Sequence, residues 1–475
     1  MLTPEEMGAA DARTIADGVP ELVLMTRAGR AVAWAVRRVL GRTYGRRAVV
    51  LCGKGNNGGD GRVAAAALRA WGVHVDVVDV SVPVDAGTPH ALARADVIVD
   101  AMYGTGFRGV LDGSAAELVV LIETASATVV AVDIPSGVDG LTGAVRGPAV
   151  RADHTVTFAA AKPGLWFHPG RALAGEVTVA DVGIDLGPDA ARTVIVEAAD
   201  VAGWLPRRAV TTHKWRAGVL VVGGSNGMTG APMLVGRAAL RLGAGIVWAA
   251  LPGRCAEHGS GTEIITHALP DADAGVLTMD GADEVLAIAD RFGAVVLGPG
   301  LGRDDATTAA VGKLVHDLDR PLVLDADALH ALSGLGDGEA LVRARSAPTI
   351  LTPHDGEFAQ VTSAAPGDDH VDAARGLAAR ADAVVLLKGP TTVVAATDGR
   401  VRVNPTGGPS LATAGSGDVL AGMIGAFCAQ GMKVFDAAAA AAFVHGRAAD
   451  HTGHTGLIAG DLPALAAAQL HQILE

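Results

Sequence analysis

Cysteine, aromatic residues, asparagine and lysine are all scarce in this chain of 475 residues. The three cysteines, Cys52, Cys255 and Cys428, are odd in number and far apart, so neither a disulfide framework nor a zinc spacing follows, and a reducing cytoplasm is the expected compartment. No uncharged apolar run is long enough for a membrane span, which takes about 18 residues or more. The N-terminal stretch through Asp17 is acidic and polar, unlike a signal peptide. With 38 basic residues against 51 acidic ones the net charge is −13, which argues against nucleic acid or an anionic membrane as a partner.

Half of the residues are hydrophobic, mainly alanine and valine, and 63 are glycine. The glycines fall in short loops between apolar runs, as tight turns between strands and helices would place them. A chain of this length has room for two or three domains. Two α/β blocks are visible. The first opens with helical stretches at 4–17 and 21–40, then alternates strand-like runs at 47–52, 73–80, 96–101, 128–133, 154–158 and 176–180 with helices. Near-continuous apolar strands separated by helices predict a parallel sheet covered on both faces. The rhythm breaks at 186–212, which holds Pro188, Pro206 and the pair Arg207-Arg208, so the expected domains are 1–200 and 205–475. The second block has strand patterns at 218–224, 246–250, 294–297, 321–325, 348–352, 383–388 and 391–396. A helix at 231–242 and three more at 417–430, 434–450 and 461–474 complete it.

The segment Gly53-Lys54-Gly55-Asn56-Asn57-Gly58-Gly59-Asp60-Gly61 follows the first apolar run and leads into a helical stretch at 62–71. A glycine-rich turn from strand to helix presents N–H groups to an anion. The chain has four asparagines, and two of them stand side by side here, next to a carboxylate. Taken alone, Gly53-x-Gly55-x-x-Gly58 fits a dinucleotide fingerprint, with Asp76 or Asp79 near the acidic position, so an NAD dehydrogenase stays open. Three more clusters lie at the carboxyl ends of strands, the edge where open α/β sheets bind ligands. They are Asp100 with Gly104-Thr105-Gly106-Phe107-Arg108-Gly109, Asp133 within Asp133-Ile134-Pro135-Ser136-Gly137-Val138-Asp139, and Lys162 within Ala161-Lys162-Pro163-Gly164. Only six lysines occur, and in so arginine-biased a chain a retained lysine marks a place where a compact point charge is needed.

In the second block Ala414-Gly415-Ser416-Gly417-Asp418 opens a helix, whose N–H groups and dipole would form an anion hole for a transferring phosphoryl group. Asp418 stands where it can take a proton from an attacking hydroxyl. His445, His451 and His454 suggest a metal site but have no matching carboxylates, and are expected to be surface or capping residues.

Residues 1–200 resemble the NAD(P)HX epimerase domain of the NAD(P)H-hydrate repair enzymes, through Asn-Asn-Gly-Gly-Asp, Gly-Thr-Gly-Phe and Asp-Ile-Pro-Ser-Gly-Val-Asp in that order. The resemblance implies that Asn56, Asn57, Gly58, Gly59 and Asp60 hold the hydrated dinucleotide together with Gly104, Thr105, Gly106, Phe107, Arg108, Gly109 and Val110. It places Asp133 at the reacting ring, and a potassium ion (K+) on Asn57, Asp100 and Ser136. Residues 205–475 resemble the ADP/ATP-dependent NAD(P)HX dehydratase, a ribokinase-like fold. The supporting segments are His213-Lys214, Gly223-Gly224-Ser225, Met228-Thr229-Gly230-Ala231, Gly298-Pro299-Gly300-Leu301-Gly302, Leu351-Thr352-Pro353-His354 and Lys388-Gly389-Pro390-Thr391-Thr392. This implies substrate contacts from Ala231, Gly300 or Gly302, His354 and Asp418, with the adenine nucleotide on Lys388, Gly389, Pro390, Thr391, Thr392 and Gly417. Asp355, Trp215 and Ser416 depart from the family's usual Pro, Gly and Thr.

The implied fold class is α/β, a Rossmann-like parallel-sheet domain followed by a ribokinase-like α/β domain. The implied enzyme epimerises R- and S-NAD(P)HX and dehydrates the S form at the expense of ADP or ATP. Phosphorylation of the C6 hydroxyl would turn a poor leaving group into a good one. Mg2+ would accompany the nucleotide, with Asp325, Asp327 and Glu357 as helpers. Expected partners are NADHX, NADPHX and the nucleotide, in a cytoplasmic homo-oligomer. Two rivals also fit a Gly-x-Gly-Asp helix start: a vitamin or sugar kinase with a regulatory nucleotide-binding domain, and a non-catalytic scaffold or sensor.

Overall fold

The apolar runs become parallel strands because neighbouring helices bury each of them on both faces. The computed structural model describes residues 1–187, 192–253, 255–256, 263–271, 275–450 and 455–475, and the chain forms two compact units, Met1–Thr193 and Val194–Glu475. The first unit holds β1 (Arg47–Cys52), β2 (His74–Asp79), β3 (Val97–Ala101), β4 (Thr128–Val132), β5 (His154–Phe158) and β6 (Glu176–Ala180). They run parallel in the order β2-β1-β3-β4-β5-β6. The order reverses beside β1, so a crevice opens at the carboxyl ends of β1 and β3. Along β1, Ala48, Val50 and Cys52 join a core with Val32, Val36, Ala64 and Leu68, while Val49 and Leu51 join Leu118 and Ile122 on the opposite face.

The helix after β1 begins at Asn56 and runs to Ala70, six residues earlier than the expected start at Arg62. The glycines permit this by letting the helix lie directly on the strand ends. A Cβ on Gly58 would sit 2.0 Å from the Gly53 carbonyl oxygen, and one on Gly61 would sit 2.5 Å from Ala101 Cβ. Helix Pro4–Ala16 starts with a capping box in which Thr3 and Glu6 satisfy each other's backbone N–H.

The second unit adds β7 (Thr193–Ile195), β8 (Gly218–Val222), β9 (Ile246–Pro252), β10 (Ile265–Leu269), β11 (Ala294–Leu297) and β12 (Leu322–Leu324), then β13 (Thr349–Leu351), β14 (Val384–Leu387), β15 (Val393–Ala395) and β16 (Val401–Val403). Among the described residues these form one sheet in the order β10-β9-β8-β11-β12-β13-β14-β15-β16-β7. It is parallel from β10 to β14 and antiparallel across β14, β15 and β16. Strand β7 and helix Ala198–Trp204 come from the stretch expected to be a junction. Val196 and Val201 are buried in the second unit's core, and the Val196 N–H donates to the Val403 carbonyl at 3.0 Å. The division therefore falls ahead of the expected 200/205 boundary, and Pro188 lies outside the described residues.

Helices Ser416–Ala429 and Val434–Asp450 are buried almost all round, with Ala437, Ala438, Ala439, Ala440 and Ala441 entirely inaccessible. Small residues bring the layers into backbone contact. A Cβ on Gly422 would meet the Val235 carbonyl oxygen at 2.2 Å, and one on Gly425 would meet Val296 Cγ2 at 2.6 Å. Rings are few in these layers, Phe427, Phe435 and Phe443 being the phenylalanines that the two helices bury. Cys52, Cys255 and Cys428 are buried and form no disulfide. Among the described residues no helix is long and apolar enough to cross a membrane.

Gly422→Ala should lower the unit's unfolding free energy by about 1–3 kcal/mol through overpacking. In contrast, Gly8→Ala in helix Pro4–Ala16, where a Cβ meets nothing within 4 Å, should raise stability by about 0.5–1 kcal/mol. Urea denaturation of the two variants checks both signs.

Candidate functional sites

Asp133 follows β4 with φ of 66°, a left-handed backbone that a non-glycine residue adopts at a cost of about 1–3 kcal/mol. Its N–H is fixed on the Val156 carbonyl at 2.8 Å. Oδ1 receives Lys162 Nζ at 2.8 Å and the Thr157 hydroxyl at 2.9 Å, and Oδ2 receives the Thr105 N–H at 3.2 Å. Lys162 is 1% exposed, and its Nζ also donates to Thr157 Oγ1 at 3.0 Å and the Phe158 carbonyl at 2.7 Å. Burial pushes the Asp133 carboxyl up, but the Lys162 charge and the hydrogen bonds outweigh it and hold the group below the usual carboxylate range.

A cavity of about 660 Å³ opens in front of this pair. Asn56, Asn57 and Asp60 line it from the helix start, and Gly104, Thr105, Gly106 and Phe107 line it from the loop after β3. Asp60 is 7% exposed, and its carboxyl is pushed up to about 8 by burial, then by the charges of Asp133 and Asp11. The Asn56 amide donates to Glu21 Oε1 at 3.0 Å. Gly58 and Gly59 stand outside the cavity wall and back onto Gly53 and Met25. Arg108, Gly109 and Val110 also stand outside it; Arg108 turns back to donate to the carbonyls of Thr105 and Phe107.

Beneath the cavity, Ser136 donates to Asp100 through its hydroxyl at 2.6 Å and its N–H at 2.8 Å. Asp100 is wholly buried, and burial carries its carboxyl up to about 6 against hydrogen bonds from Ser136 and Met102. The Asn57 amide nitrogen is buried without a hydrogen-bond partner, and a Cβ on Gly104 would lie 3.0 Å from Asn57 Oδ1. Two acidic cavity residues gave no signal in the sequence, Asp11 and Glu21, because acids on N-terminal helices look like ordinary solvated surface.

In the second unit Asp325 follows β12 directly, and Ala326 after it also has positive φ, 50°. Lys388 Nζ lies 2.8 Å from Asp325 Oδ1 and 3.5 Å from Glu357 Oε2, while the Thr352 hydroxyl donates to Asp325 Oδ1 at 2.7 Å. Burial pulls the Lys388 ammonium down, but Asp325 and Glu357 more than compensate and raise it. Helix Ser416–Ala429 starts directly over this pair: a Cβ on Gly417 would lie 3.6 Å from Lys388 Nζ. Asp418, in its first turn, is pushed up to about 7 by burial and by Asp325, with Lys388 opposing.

Ala231 and Gly300 adjoin, since a Cβ on Gly300 would lie 3.3 Å from Ala231 Cβ, and one on Gly302 would lie 3.5 Å from Ser225 Oγ. Asp327 accepts the Gly302 N–H at 2.9 Å and pairs with Arg303. His354 caps helix Asp355–Thr362, its Nδ1 accepting from the N–H groups of Gly356 and Glu357, and its backbone bridges to Lys388. Beyond Lys388, Gly389 and Pro390 are exposed, Thr391 is buried and Thr392 is half-buried. His445 is buried at 6% exposure beside Ser416, so it is neither a surface nor a capping residue; the alanine-rich packing of its helix encloses it. His451 and His454 lie outside the described residues. Among the described residues no three acids, histidines or cysteines group to hold a metal.

A family model for NAD(P)H-hydrate dehydratase matches residues 219–471, and one for the YjeF-related protein N-terminus matches 21–86 and 81–164. A bifunctional NAD(P)H-hydrate repair enzyme from Moorella thermoacetica is 40% identical, the alignment covering 97% of this chain and 95% of that one. Its counterpart from Salinibacter ruber is 39% identical over 97% and 94%. The solved ADP/ATP-dependent NAD(P)H-hydrate dehydratase from Bacillus subtilis, co-crystallised with ATP and Mg2+, is 27% identical, with a TM-score of 0.51 over 59% of this chain and 98% of that one.

Lys162→Met should cost about 3–5 kcal/mol at neutral pH, because it leaves Asp133 ionised and buried without a partner. The folded pKa of Asp133 is lowered, so the pair contributes stability above the ordinary carboxylate range and loses it as pH falls through the depressed value. The deficit of the variant should therefore be largest near neutrality and shrink on acidification, as urea denaturation across pH would read.

Proposed function

The chain belongs to the bifunctional NAD(P)H-hydrate repair enzymes, and we propose that the first unit interconverts R- and S-NAD(P)HX while the second dehydrates the S form with ADP or ATP. One observation carries this division: each unit holds an aspartate at its site, Asp133 buried and Asp418 half-buried, and the two are displaced in opposite directions. Asp133 stays ionised under Lys162, whereas Asp418 titrates near neutrality.

In the first unit the substrate has a hydroxyl on C6, next to the ring nitrogen. An ionised Asp133 can take the hydroxyl proton as the C6–N bond opens to an aldehyde, and return it when the ring closes on the other face. Asn56, Asn57 and Asp60 with Gly104, Thr105, Gly106 and Phe107 would hold the dinucleotide. Gly58, Gly59, Arg108, Gly109 and Val110, outside the cavity wall, would shape those segments. The donor chemistry fits a potassium ion, which takes hard oxygen ligands: the buried Asp100 carboxyl, the Ser136 hydroxyl oxygen and the carboxamide oxygen of Asn57. Bound there, K+ would balance the Asp100 charge.

In the second unit Asp418 would take the proton of the C6 hydroxyl as that oxygen attacks the terminal phosphorus, with the N–H groups of the helix start receiving the transferring charge. Phosphate then leaves with the push of the ring nitrogen and the C5 proton is lost, which restores NAD(P)H. Ala231, the Gly300/Gly302 turn and His354 would position the substrate, and Lys388, Gly389, Pro390, Thr391, Thr392 and Gly417 the nucleotide. Asp325 and Glu357 are engaged by Lys388, and Asp327 by Gly302 and Arg303, so they do not form a Mg2+ cluster of their own. Mg2+ would arrive on the nucleotide phosphates. The proposed setting is a cytoplasmic homo-oligomer.

Recovery of reduced-nicotinamide absorbance from an R/S NADHX mixture should run to completion with ADP or ATP and stop without either. Asp418→Asn should slow dehydration by about 10²–10⁴ while epimerisation continues, and Asp133→Asn should do the reverse. Equal loss of both activities in either variant would overturn the division. The dehydration rate should rise with pH through about 7 as Asp418 ionises.

A further inference from the structure

The epimerase cavity contains more acid than the chemistry assigned to it so far. Its charged groups are Asp11 and Glu21 from the first two helices, Lys54, Asp60, Asp133 and Lys162. The single buried cation, Lys162, is committed to Asp133 at 2.8 Å. Asp60 lies more than nine-tenths buried and faces the cavity, yet among the described residues neither it nor Asp11 has a side-chain hydrogen bond or ion pair within 4 Å. A buried carboxyl without a partner is costly unless it is neutral or a ligand meets it.

Ring opening also needs a second proton transfer. When Asp133 removes the hydroxyl proton and C6–N breaks, the electron pair comes to rest on the ring nitrogen, which must be protonated. We infer that Asp60 is the general acid of the epimerase site, donating its proton to the ring nitrogen on opening and taking it back on closure, and that Asp11 is a positioning residue on the same cavity wall whose negative charge helps hold that proton. The inference rests on the epimerase assignment above. Protons and electrons balance within the cycle: one proton leaves the C6 oxygen for Asp133, one reaches nitrogen from Asp60, and both return. The two carboxyls suit these opposite tasks. Asp60 is pushed up to about 8 by burial and by Asp133 and Asp11, while Asp133 is held low.

The test uses the full chain without nucleotide, following R-to-S conversion by separation of the epimers, with R-NADHX binding measured by calorimetry. Asp60→Asn keeps the shape and a hydrogen-bond donor but has no proton to give. Its kcat should fall about 100-fold or more, with binding retained. In the wild type the rate should fall as pH rises through about 8, and Asp11→Asn should move that limb to lower pH, because losing a negative neighbour makes Asp60 the stronger acid. A kcat within tenfold of wild type in Asp60→Asn, a limb unmoved in Asp11→Asn, or loss of binding along with rate would each overturn the inference alone. A wild-type chain that leaves the R form unchanged would overturn the epimerase assignment and this inference with it.

Discussion

At the carboxyl edge of its sheet each unit pairs one buried aspartate with a lysine, and both do so in the same way. In the first, one oxygen of Asp133 takes a lysine at 2.8 Å and a threonine hydroxyl at 2.9 Å. In the second, one oxygen of Asp325 takes a lysine at 2.8 Å and a threonine hydroxyl at 2.7 Å. In the first unit the lysine follows the adjacent strand, β5, and in the second it follows β14, two strands along from β12, so each sheet sets the spacing of its charges. The use differs. Asp133 faces the ligand cavity, whereas Asp325 adds to the effect of burial in raising Asp418 into the range where a base is effective.

These pairs depend on backbone geometry that only small residues permit. The positive φ of Asp133 and Ala326 turns the chain at the strand ends. Gly58, Gly61 and Gly417 then let helix starts approach within contact of strands and of the lysine. The same principle runs through the core, where the glycines and alanines of helix Ser416–Ala429 bring it onto Val235 and Val296. Strain at the strand ends is offset by the buried hydrogen bonds it makes possible, including that from the Asp133 N–H to Val156.

Much of this was legible in the sequence. Strands buried on both faces announced themselves as uninterrupted valine and leucine, as in β1, β3 and β11, and their ends located Asp100, Asp133 and Lys162. Three-residue strands such as β7 and β16 lack enough apolar residues to stand out, and β7 was obscured by the prolines around it. The helix beginning at Asn56 was hidden because glycine usually ends helices, and only the tertiary contacts of Gly58 and Gly61 explain its presence there. Asp11 was invisible for a different reason: an acid on an amphipathic helix is ordinary, and its position over the cavity is a property of packing alone.

The buried lysines also bear on how the gene tolerates mutation. A single base change converts the codons AAA and AAG into arginine codons, and a chain with 38 basic residues and only six lysines has taken arginine almost everywhere else. At Lys162 that change would press a branched, planar guanidinium into a site with 1% exposure, where one nitrogen now serves Asp133, Thr157 and Phe158 together. A conservative exchange one base away is therefore among the most damaging here, which makes Lys162 a point of mutational fragility that composition alone would rank as harmless.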